Sequence, residues 1–384
     1  MSGNGNEYFG RDIRKLGFGL MRLPRKLLAT DVEQFKVMAD MFLDAGFTYF
    51  DTAFLYPGSE AAFRKALTER HPRESFLLAT KLNTMVAPTE KAAKKQFDTS
   101  LERTGAGYFD FYLLHALMRG NLSKYEKFGL WDFVREQKEK GLIRHYGFSF
   151  HAGPELLDEL LTEHPDVDFV QLQINYMDWN DPRVASRANW EVARKHGKPV
   201  IVMEPVKGGR LADLPKEAKD LFEACRPGMS CASWAIRFAA SLEGVMTVLS
   251  GMSDIAQMKD NLSYMKDFEP LSEEEHEVIR KVQAILGRSP EIPCTACRYC
   301  TAGCPKQIDI PKIFSAVNRK FSGEQTGSAE EAYAGAVSDG RRASDCIGCG
   351  ACERACPQHL EIRKHLDKAA VMFGERTPDG PGEA

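Results

Sequence analysis

Eight cysteines in the last quarter of the chain repeat one short spacing that suits metal binding. In each run three cysteines are separated by two residues, and a fourth follows after three more and precedes a proline. The runs are Cys294, Cys297, Cys300 and Cys304, and then Cys346, Cys349, Cys352 and Cys356. Thiolates with this spacing bind four-iron, four-sulfur clusters. The spacing therefore predicts two [4Fe–4S] clusters, with a four-thiolate zinc site as the alternative.

The fourth cysteine of such a run ligates the other cluster, which divides the eight thiols into two sets. One set is Cys294, Cys297, Cys300 and Cys356, and the other is Cys346, Cys349, Cys352 and Cys304. The repeat extends past the cysteines, since Cys304-Pro-Lys-Gln-Ile-Asp-Ile310 matches Cys356-Pro-Gln-His-Leu-Glu-Ile362. Two complete copies favour clusters over zinc. The remaining Cys225 and Cys231 are expected to be ordinary buried thiols.

A second set of reactive groups belongs to three successive predicted strands. Asp51, Lys81 and His115 lie at the strand ends, and Tyr56 lies five residues beyond Asp51 in the following loop. An ammonium beside a tyrosine favours the phenolate and lowers the phenol's pKa, so Lys81 would make Tyr56 a better proton donor. Asp51 could orient Lys81, and His115 could hydrogen-bond a carbonyl oxygen. Each residue alone also fits a helix cap or loop packing, but together they suit a general-acid site for adding hydride to a C=O group.

Short apolar runs and amphipathic stretches alternate through the first 270 or so residues and must position these groups. Eight strand–helix units of this length predict a (β/α)8 barrel, with a doubly wound open sheet as the alternative. The predicted strands are Lys15–Leu20, Phe47–Asp51, Phe76–Thr80, Phe109–Leu114, His145–Ser149, Phe169–Gln173, Pro199–Met203 and Val245–Leu249. The predicted helices are Asp31–Ala45, Ala61–Glu69, Glu90–Arg103, Trp131–Lys140, Pro154–Glu163, Asn189–His196, Cys231–Leu242 and Asp254–Met265.

Composition places the chain among ordinary globular proteins. It has 384 residues, 43% hydrophobic and 27% charged, and a formal net charge of −3, which gives no reason to expect nucleic acid or a membrane surface as partner. No apolar run of about 18 residues occurs, and the first residues lack a secretory core, so we expect a cytoplasmic protein. A turn-rich stretch near residue 287 predicts two domains, 1–287 and a mainly helical, ferredoxin-like 288–384.

The first domain resembles the aldo-keto reductase family. Phe50-Asp-Thr-Ala-Phe-Leu-Tyr56 followed by Gly58-Ser-Glu60 is similar to that family's signature, and Thr80-Lys81 and Leu113-Leu-His115 match its later catalytic positions. With the cysteine tail, the chain resembles the iron–sulfur-containing branch. The resemblance implies a barrel, a nicotinamide cofactor that is usually NADPH, a small carbonyl or alcohol substrate, and Tyr56 as the acid of the tetrad.

The resemblance also implies a cofactor site on the remaining strand ends and loops. Its residues are Gly19, Met21, Ser149, Gln173, Met203, Lys207, Gly208, Gly209, Leu211, Ser250, Gly251, Ser253, Gln257 and Asn261. Three positions depart from the family pattern: Phe150 replaces an asparagine, Met203 replaces an aromatic ring, and Gln257 replaces an arginine that pairs with the 2′-phosphate. Both NADP(H) and NAD(H) therefore stay open.

The combination leaves three hypotheses. The favoured one is a carbonyl oxidoreductase whose clusters exchange electrons with a redox partner protein. The second is an iron–sulfur electron-transfer or binding protein whose barrel no longer catalyses carbonyl reduction. The third is that the clusters are purely structural. A flavin could mediate between two-electron and one-electron carriers, but no flavin motif supports one.

Overall fold

The computed structural model describes residues 7–27, 29–321 and 327–377, which divide into two compact units. Unit 1 holds the described residues up to Val206, together with Leu211–Leu214 and Lys219–Ile279. Unit 2 holds Lys207–Arg210, Pro215–Ala218 and the described residues from Arg280 onward. Across these described ranges, none of the helices combines the length and apolar character needed to cross a bilayer.

Unit 1 contains a closed barrel of eight parallel strands, which confirms the predicted (β/α)8 fold and excludes the open sheet. Each strand pairs with the next in the chain, and the last pairs with the first through Val248 and Leu16. The strands are β1 (Leu16–Gly19), β2 (Tyr49–Asp51), β3 (Leu77–Leu82), β4 (Phe109–Leu117), β5 (Ile143–Phe150), β6 (Phe169–Gln173), β7 (Val200–Met203) and β8 (Val245–Ser250). Two short hairpins, Glu7–Asp12 and Arg25–Thr30, flank β1.

Helices follow the barrel strands, and some of them begin at a side-chain cap, as at Asp31, Thr89, Ser230 and Asp254. Asp31 accepts a hydrogen bond from the Gln34 amide at 3.1 Å and starts the first helix, which buries Phe35, Met38 and Phe42. The helices are α1 (Val32–Asp44), α2 (Ser59–Phe63), α3 (Glu90–Thr104), α4 (Leu122–Lys127), α5 (Leu130–Glu139), α6 (Pro154–Glu163), α7 (Ser186–Lys195), α8 (Lys216–Cys225), α9 (Cys231–Ala240), α10 (Ile255–Met265) and α11 (Glu273–Leu286).

The sequence did not predict α4, α8 or α11. Helix α11 begins with Glu273, Glu274 and Glu275, which suit a helix start. Because this first turn is charged, the apolar periodicity of the segment is hard to recognise in the sequence. Cys225 and Cys231, which end α8 and start α9, are both partly exposed, so the expectation of buried thiols is wrong. Each lies at a helix end, where side chains are covered by fewer neighbours than in a helix interior.

The barrel interior changes from apolar to polar along its axis. Successive side chains of a strand point to opposite faces, so residues two apart line the same face. The inward positions near the amino ends are apolar and packed together, as Tyr49, Leu77, Ala79, Phe111, Leu113 and Phe169 show. Two residues further on, the same face carries Asp51, Lys81 and His115. The carboxyl ends of parallel barrel strands therefore gather polar groups above an apolar plug.

Unit 2 is helical and packs around its own apolar cluster. Its core includes Ile313, Phe314, Ile362 and Leu366. Its further helices are α12 (Tyr299–Ala302), α13 (Ile310–Phe321), α14 (Ser328–Ala336), α15 (Ala351–Arg354) and α16 (Ile362–Met372). Helices α12 and α15 each start five residues after the first cysteine of their run, and α13 and α16 each start six residues after the last. The sequence repeat is thus also a structural repeat.

Candidate functional site

A buried ion pair lies at the carboxyl ends of β2 and β3. The Lys81 ammonium donates to Asp51 Oδ1 at 2.5 Å and to the Thr52 carbonyl oxygen at 2.7 Å. Gln171 on β6 donates to Asp51 Oδ2 at 3.1 Å. Lys81 is 1% exposed and Asp51 3% exposed. Two charges this deeply buried are stable only because each has the other and further hydrogen-bond partners.

Burial and pairing act against each other on both charges. Burial lowers the pKa of Lys81, and the negative charge of Asp51 opposes that shift. Burial also raises the pKa of Asp51, while Lys81 and Gln171 oppose that shift. The ionised state of each group therefore depends on the other. Loss of either partner would leave the second as an uncompensated buried charge or make it neutral.

Tyr56 and His115 complete a cluster with this pair. The Lys81 Nζ atom lies 5.3 Å from the centroid of the Tyr56 ring. The Tyr56 and His115 rings meet edge to face, with centroids 5.8 Å apart and planes at 84°. His115 is 2% exposed, and burial together with the charge of Lys81 holds its pKa well below the usual range. His115 is therefore a neutral imidazole near pH 7 and can donate one hydrogen bond.

The loop that carries Tyr56 is fixed by short-range hydrogen bonds. The Tyr56 amide donates to the Ala53 carbonyl at 3.0 Å, and the Ser59 amide donates to the Tyr56 carbonyl at 3.1 Å. Gly58 has φ of 74°, a left-handed conformation that glycine adopts without steric cost. The hydroxyls of Thr52 and Ser59 are 2.7 Å apart. The loop thus has one backbone path, and Tyr56 stays half-buried over the pair.

His115 precedes an irregularity in β4 that neighbouring side chains support. Ala116 has φ of 56°, unusual for a residue with a Cβ, and the pairing register with β5 shifts there. The Ala116 amide donates to Ser149 Oγ at 2.7 Å, and Asn121 donates to the Ala116 carbonyl at 2.8 Å. The Tyr125 hydroxyl donates to the His115 carbonyl at 2.5 Å. These three side chains hold the backbone that aims His115.

Sequence reasoning missed three of the supporting residues. Gln171 carried a usable signal, because it lies two residues before Gln173 on the same face of β6. Asn121 and Tyr125 lie on the loop and helix after β4 and have no local pattern that marks them. Their role is visible only from the backbone groups that they contact.

The other half of the barrel rim carries most of the predicted cofactor residues. Gly19, Ser149, Gln173, Met203 and Ser250 lie at or next to the carboxyl ends of β1, β5, β6, β7 and β8. All parallel strands end on the same side of the barrel, so these positions face the same side as Asp51, Lys81 and His115. Leu211 is buried in unit 1, whereas Met21 is exposed.

Several of these side chains already have protein partners. Gln173 donates to the buried Asp178 at 2.8 Å. Gln257 accepts a hydrogen bond from the Ser253 amide at 2.8 Å, and Ser253 Oγ donates to the Arg22 carbonyl at 2.7 Å. The buried Asn261 leaves its Oδ1 atom without a hydrogen-bond partner among the described residues. An unfilled buried acceptor at this position is compatible with a hydrogen bond from a nucleotide.

The structure does not place every predicted cofactor residue in unit 1. Lys207, Gly208 and Gly209 belong to unit 2, although Val206 and Leu211 on either side belong to unit 1. Gly208 approaches Thr295 beside Cys294, and Lys207 donates to Gln358 two residues after Cys356.

The eight thiols of the tail line two cavities of unit 2. The first thiol cavity is lined by Cys294, Cys297, Cys300 and Cys356. The second thiol cavity is lined by Cys304, Cys346, Cys349 and Cys352. Apolar side chains form much of the remaining lining, and Ile310 contributes to both cavities, but each lining also includes polar or charged residues. The structure therefore brings together three thiols from one run and the last thiol of the other.

The backbone repeats the same turns around both cavities. The residues two and four after the first cysteine of each run have positive φ, between 52° and 70°. The residue three after the last cysteine also has positive φ in both runs. These six residues are Ala296, Arg298, Gln307, Gly348, Gly350 and His359. These three left-handed residues per run turn the backbone tightly, so that the cysteines surround a common space.

This donor set fits iron–sulfur clusters better than single metal ions. Among the described residues, no three Cys, His, Asp or Glu side chains converge closely enough to hold one ion. Burial raises the pKa of Cys300 to about 12 and of Cys352 to about 11, so thiolates in these cavities need a positive group beside them. Iron atoms of a cluster supply that charge, and the apolar lining suits its inorganic sulfides.

Comparison with known proteins gives two matches along the chain. Residues 15–284 match the model of the aldo/keto reductase family. Residues 293–361 match the model of the 4Fe-4S dicluster domain. Relatives include an aldo-keto reductase of Strobilurus tenacellus, 28% identical over 222 residues that are 54% of this chain and 62% of the relative. An uncharacterized oxidoreductase of Bacillus subtilis is 24% identical over 65% of this chain and 87% of its own length.

Solved structures give the same result for the barrel. The holo form of an aldo-keto reductase from Bacillus halodurans superposes with a TM-score of 0.58 at 27% identity, over 71% of this chain and 93% of that protein. An aldo/keto reductase from Klebsiella pneumoniae, solved with NADP and acetate, superposes with a TM-score of 0.58 at 21% identity, over 71% of this chain and 92% of its own. The second likeness bears on fold alone.

Proposed function

The chain belongs to the aldo/keto reductase family of NAD(P)H-dependent oxidoreductases, with an iron–sulfur domain of the 4Fe-4S type, and from this premise we propose that it interconverts a small carbonyl compound and its alcohol. The observation that carries the proposal is the buried Asp51–Lys81 pair beneath Tyr56, with His115 edge-on to the same ring. An ammonium, a phenol and a neutral imidazole at one barrel mouth suit the protonation of a carbonyl oxygen.

Each residue of the tetrad has a separate task in this proposal. When bound, NAD(P)H supplies hydride to the carbonyl carbon. Tyr56 donates its hydroxyl proton to the carbonyl oxygen, and the ammonium of Lys81 stabilises the phenolate that remains. Asp51 fixes the position of Lys81, while His115 donates a hydrogen bond that orients the oxygen. Hydride and proton together give the alcohol, and in the reverse direction Tyr56 takes the proton back.

The cofactor site of this proposal lies on the rim formed by β1 and β5–β8. Asn261 would accept a hydrogen bond from the nucleotide, and Gly251, which has no side chain, would suit the backbone's approach to its phosphates. NADPH is the usual cofactor that the family resemblance implies, so the phosphorylated cofactor is the first choice to test. Gln257, where an arginine is common in the family, keeps NADH as the second choice.

The iron–sulfur part of the proposal assigns two clusters to residues 288–384 and the reductase to residues 1–287. Cys294, Cys297, Cys300 and Cys356 would hold one cluster, and Cys304, Cys346, Cys349 and Cys352 the other. A bound [4Fe–4S] cluster carries one electron at a time. We infer that the clusters exchange single electrons with a redox partner protein. The two separate cavities, each lined by four thiols, support the assignment of these ligands to two clusters.

Isotope transfer tests the carbonyl chemistry. The holoprotein is incubated anaerobically with NADPH or NADH that carries deuterium at the transferable position, together with a panel of aldehydes and ketones. Deuterium should appear on the carbinol carbon of at least one product. The variant Tyr56→Phe should lower this transfer about 10²–10⁴-fold while its iron content stays the same. Unchanged transfer in Tyr56→Phe would contradict the role of Tyr56.

A second candidate function is favoured by the departures from the family pattern in the cofactor residues. Phe150 and Met203 alter the nicotinamide end, and Gln257 is engaged with the Ser253 amide. These changes suit an iron–sulfur protein whose barrel has lost carbonyl reduction. Titration of the purified protein with NADPH and NADH separates the two candidates, because a protein that binds neither cofactor would favour the second.

A further inference from the structure

Four residues between β7 and α8 are part of unit 2 rather than of the barrel that precedes them. Lys207–Arg210 follow Val206 and precede Leu211, which both belong to unit 1. Three of the four residues have specific contacts with unit 2. These contacts decide what this segment, called the 207–210 segment below, can do.

Gly208 and Arg210 fix the 207–210 segment to the start of the first cysteine run. Gly208 has φ of 68°, and a Cβ at this position would lie 2.7 Å from the Thr295 carbonyl oxygen. Arg210 donates to Glu291 at 2.6 Å and to the Ile292 carbonyl at 3.3 Å. The segment therefore lies in backbone contact with the residue next to Cys294, where only glycine fits.

Lys207 is brought by these contacts to the edge of the first thiol cavity. It is 8% exposed, and its Nζ atom donates to Gln358 Oε1 at 3.4 Å. Gln358 and Thr295 both line the first thiol cavity beside Cys294 and Cys356. A buried ammonium is therefore one hydrogen bond away from the wall of this cavity.

The second thiol cavity has a different charge environment, as the sequence repeat shows. Position 306 of the first run corresponds to position 358 of the second, so Lys306 takes the place of Gln358 in the second thiol cavity. Lys306 is exposed, whereas Lys207 is buried. Each cavity is also lined by one exposed arginine in an ion pair, Arg298 with Asp309 and Arg363 with Glu353. Among the described residues that line or contact the two cavities, the buried Lys207 is thus one difference in charge between them.

A buried charge acts more strongly on a neighbouring redox group than an exposed one. Water and salt screen the charge of Lys306, whereas the low dielectric around Lys207 does not. Reduction of a cluster adds one negative charge, which a nearby ammonium stabilises. We propose that Lys207 raises the reduction potential of the cluster in the first thiol cavity above that of the cluster in the second. The proposal rests on the two-cluster function proposed above.

Electrons in the half-reduced protein would then reside in the first thiol cavity. The second thiol cavity contains the exposed Cys349 beside the exposed Ile347, so its cluster would be the one nearer to solvent. This order suits a protein that accepts single electrons at the second cluster and stores them at the first.

Potentiometric titration of the anaerobic holoprotein, followed by EPR, tests the proposal. The wild type should show two separate potentials. Cys349→Ser should perturb the lower one and so assign it to the second thiol cavity. Lys207→Met should lower the higher potential by about 59 mV, equivalent to a tenfold change in the reduction equilibrium. Lys207→Arg should retain the wild-type value, and Lys306→Met should shift the lower potential by less than half as much.

The variant Lys207→Gln and the iron content distinguish a failure of the proposed role of Lys207 from a failure of the two-cluster function. Lys207→Gln keeps a hydrogen bond to Gln358 without the charge, so it should reproduce the drop even if Lys207→Met loads iron poorly. The proposal is overturned if Lys207→Gln with full iron content keeps both potentials, or if Lys306→Met has the larger effect. An iron content of about four per wild-type chain instead of eight would contradict the two-cluster function itself, not the role of Lys207.

Discussion

Replacing Lys81 with methionine tests the buried ion pair at the base of the candidate site. The change removes the ammonium but keeps most of the side-chain volume, so Asp51 stays buried at 3% exposure with Gln171 as a remaining donor. Breaking a buried pair by removing one partner costs about 3–5 kcal/mol. A typical domain has a free energy of unfolding of about 5–15 kcal/mol. Lys81→Met should therefore lose a large share of the barrel's stability.

Urea unfolding followed by tryptophan fluorescence measures this loss in the free energy of unfolding. The protein has four tryptophans, Trp131, Trp179, Trp190 and Trp234, and all lie in unit 1. The exposed pair Lys36–Glu33 provides a control, because Lys36→Met should cost no more than about 0.5 kcal/mol. The double variant Asp51→Asn with Lys81→Met removes both charges and should recover at least about 1.5 kcal/mol of the loss.

The dependence on pH gives a further check of the same variant. Burial raises the pKa of Asp51, and Lys81→Met removes the charge that opposes this shift. The folded state then binds more protons than the unfolded state, so the stability deficit of Lys81→Met should shrink as the pH falls. A deficit below about 1 kcal/mol at neutral pH, or a double variant no more stable than Lys81→Met, would refute the reasoning.

Three further predictions concern the support of the site and the metal. The buried neutral His115 should make the wild-type free energy of unfolding fall as the pH drops below about 6.5, because the unfolded chain binds a proton that the folded chain refuses. His115→Gln should remove that part of the pH dependence in urea titrations, and an unchanged slope would contradict it. Ser149→Ala leaves the Ala116 amide without its acceptor and should lower the free energy of unfolding by about 1–3 kcal/mol in the same fluorescence assay. An unaltered free energy of unfolding would show that Ser149 does not support the backbone there. Removal of iron by a chelator should abolish the helical circular dichroism of unit 2. The free energy of unfolding from tryptophan fluorescence should stay within about 1 kcal/mol of the holoprotein value, and a larger change would show that the clusters also stabilise the barrel.

The barrel could be predicted because local patterns indicate its strands, and the strand ends in turn indicate which polar side chains lie near one another. Runs such as Phe169–Gln173 are apolar enough to be buried strands, and the regular alternation with helices fixes a parallel order. The strand bounds were less predictable. Strand β4 is expected from the sequence to end at Leu114 but reaches Leu117, because the backbone at Ala116 donates to Ser149 and accepts from Asn121.

The contacts that cross long stretches of sequence could not be predicted. The family resemblance assigns Lys207, Gly208 and Gly209 to the cofactor site. Their glycines suit a close approach of backbone to any group, so the sequence alone does not identify the group that they approach. In the structure Gly208 approaches Thr295, which lies 87 residues further along the chain. The cysteine spacing, in contrast, specifies the chemistry without any knowledge of the fold, because cluster ligation demands those turns wherever the run occurs.

Single-turnover oxidation of NADPH tests most directly whether the four residues at the barrel mouth act as proposed. Wild type and Tyr56→Phe are compared at saturating cofactor, with a carbonyl substrate identified by isotope transfer. The rate constant should fall about 10²–10⁴-fold in Tyr56→Phe while the cofactor affinity and the iron content match those of wild type. Equal rate constants in the two proteins would contradict proton donation by Tyr56.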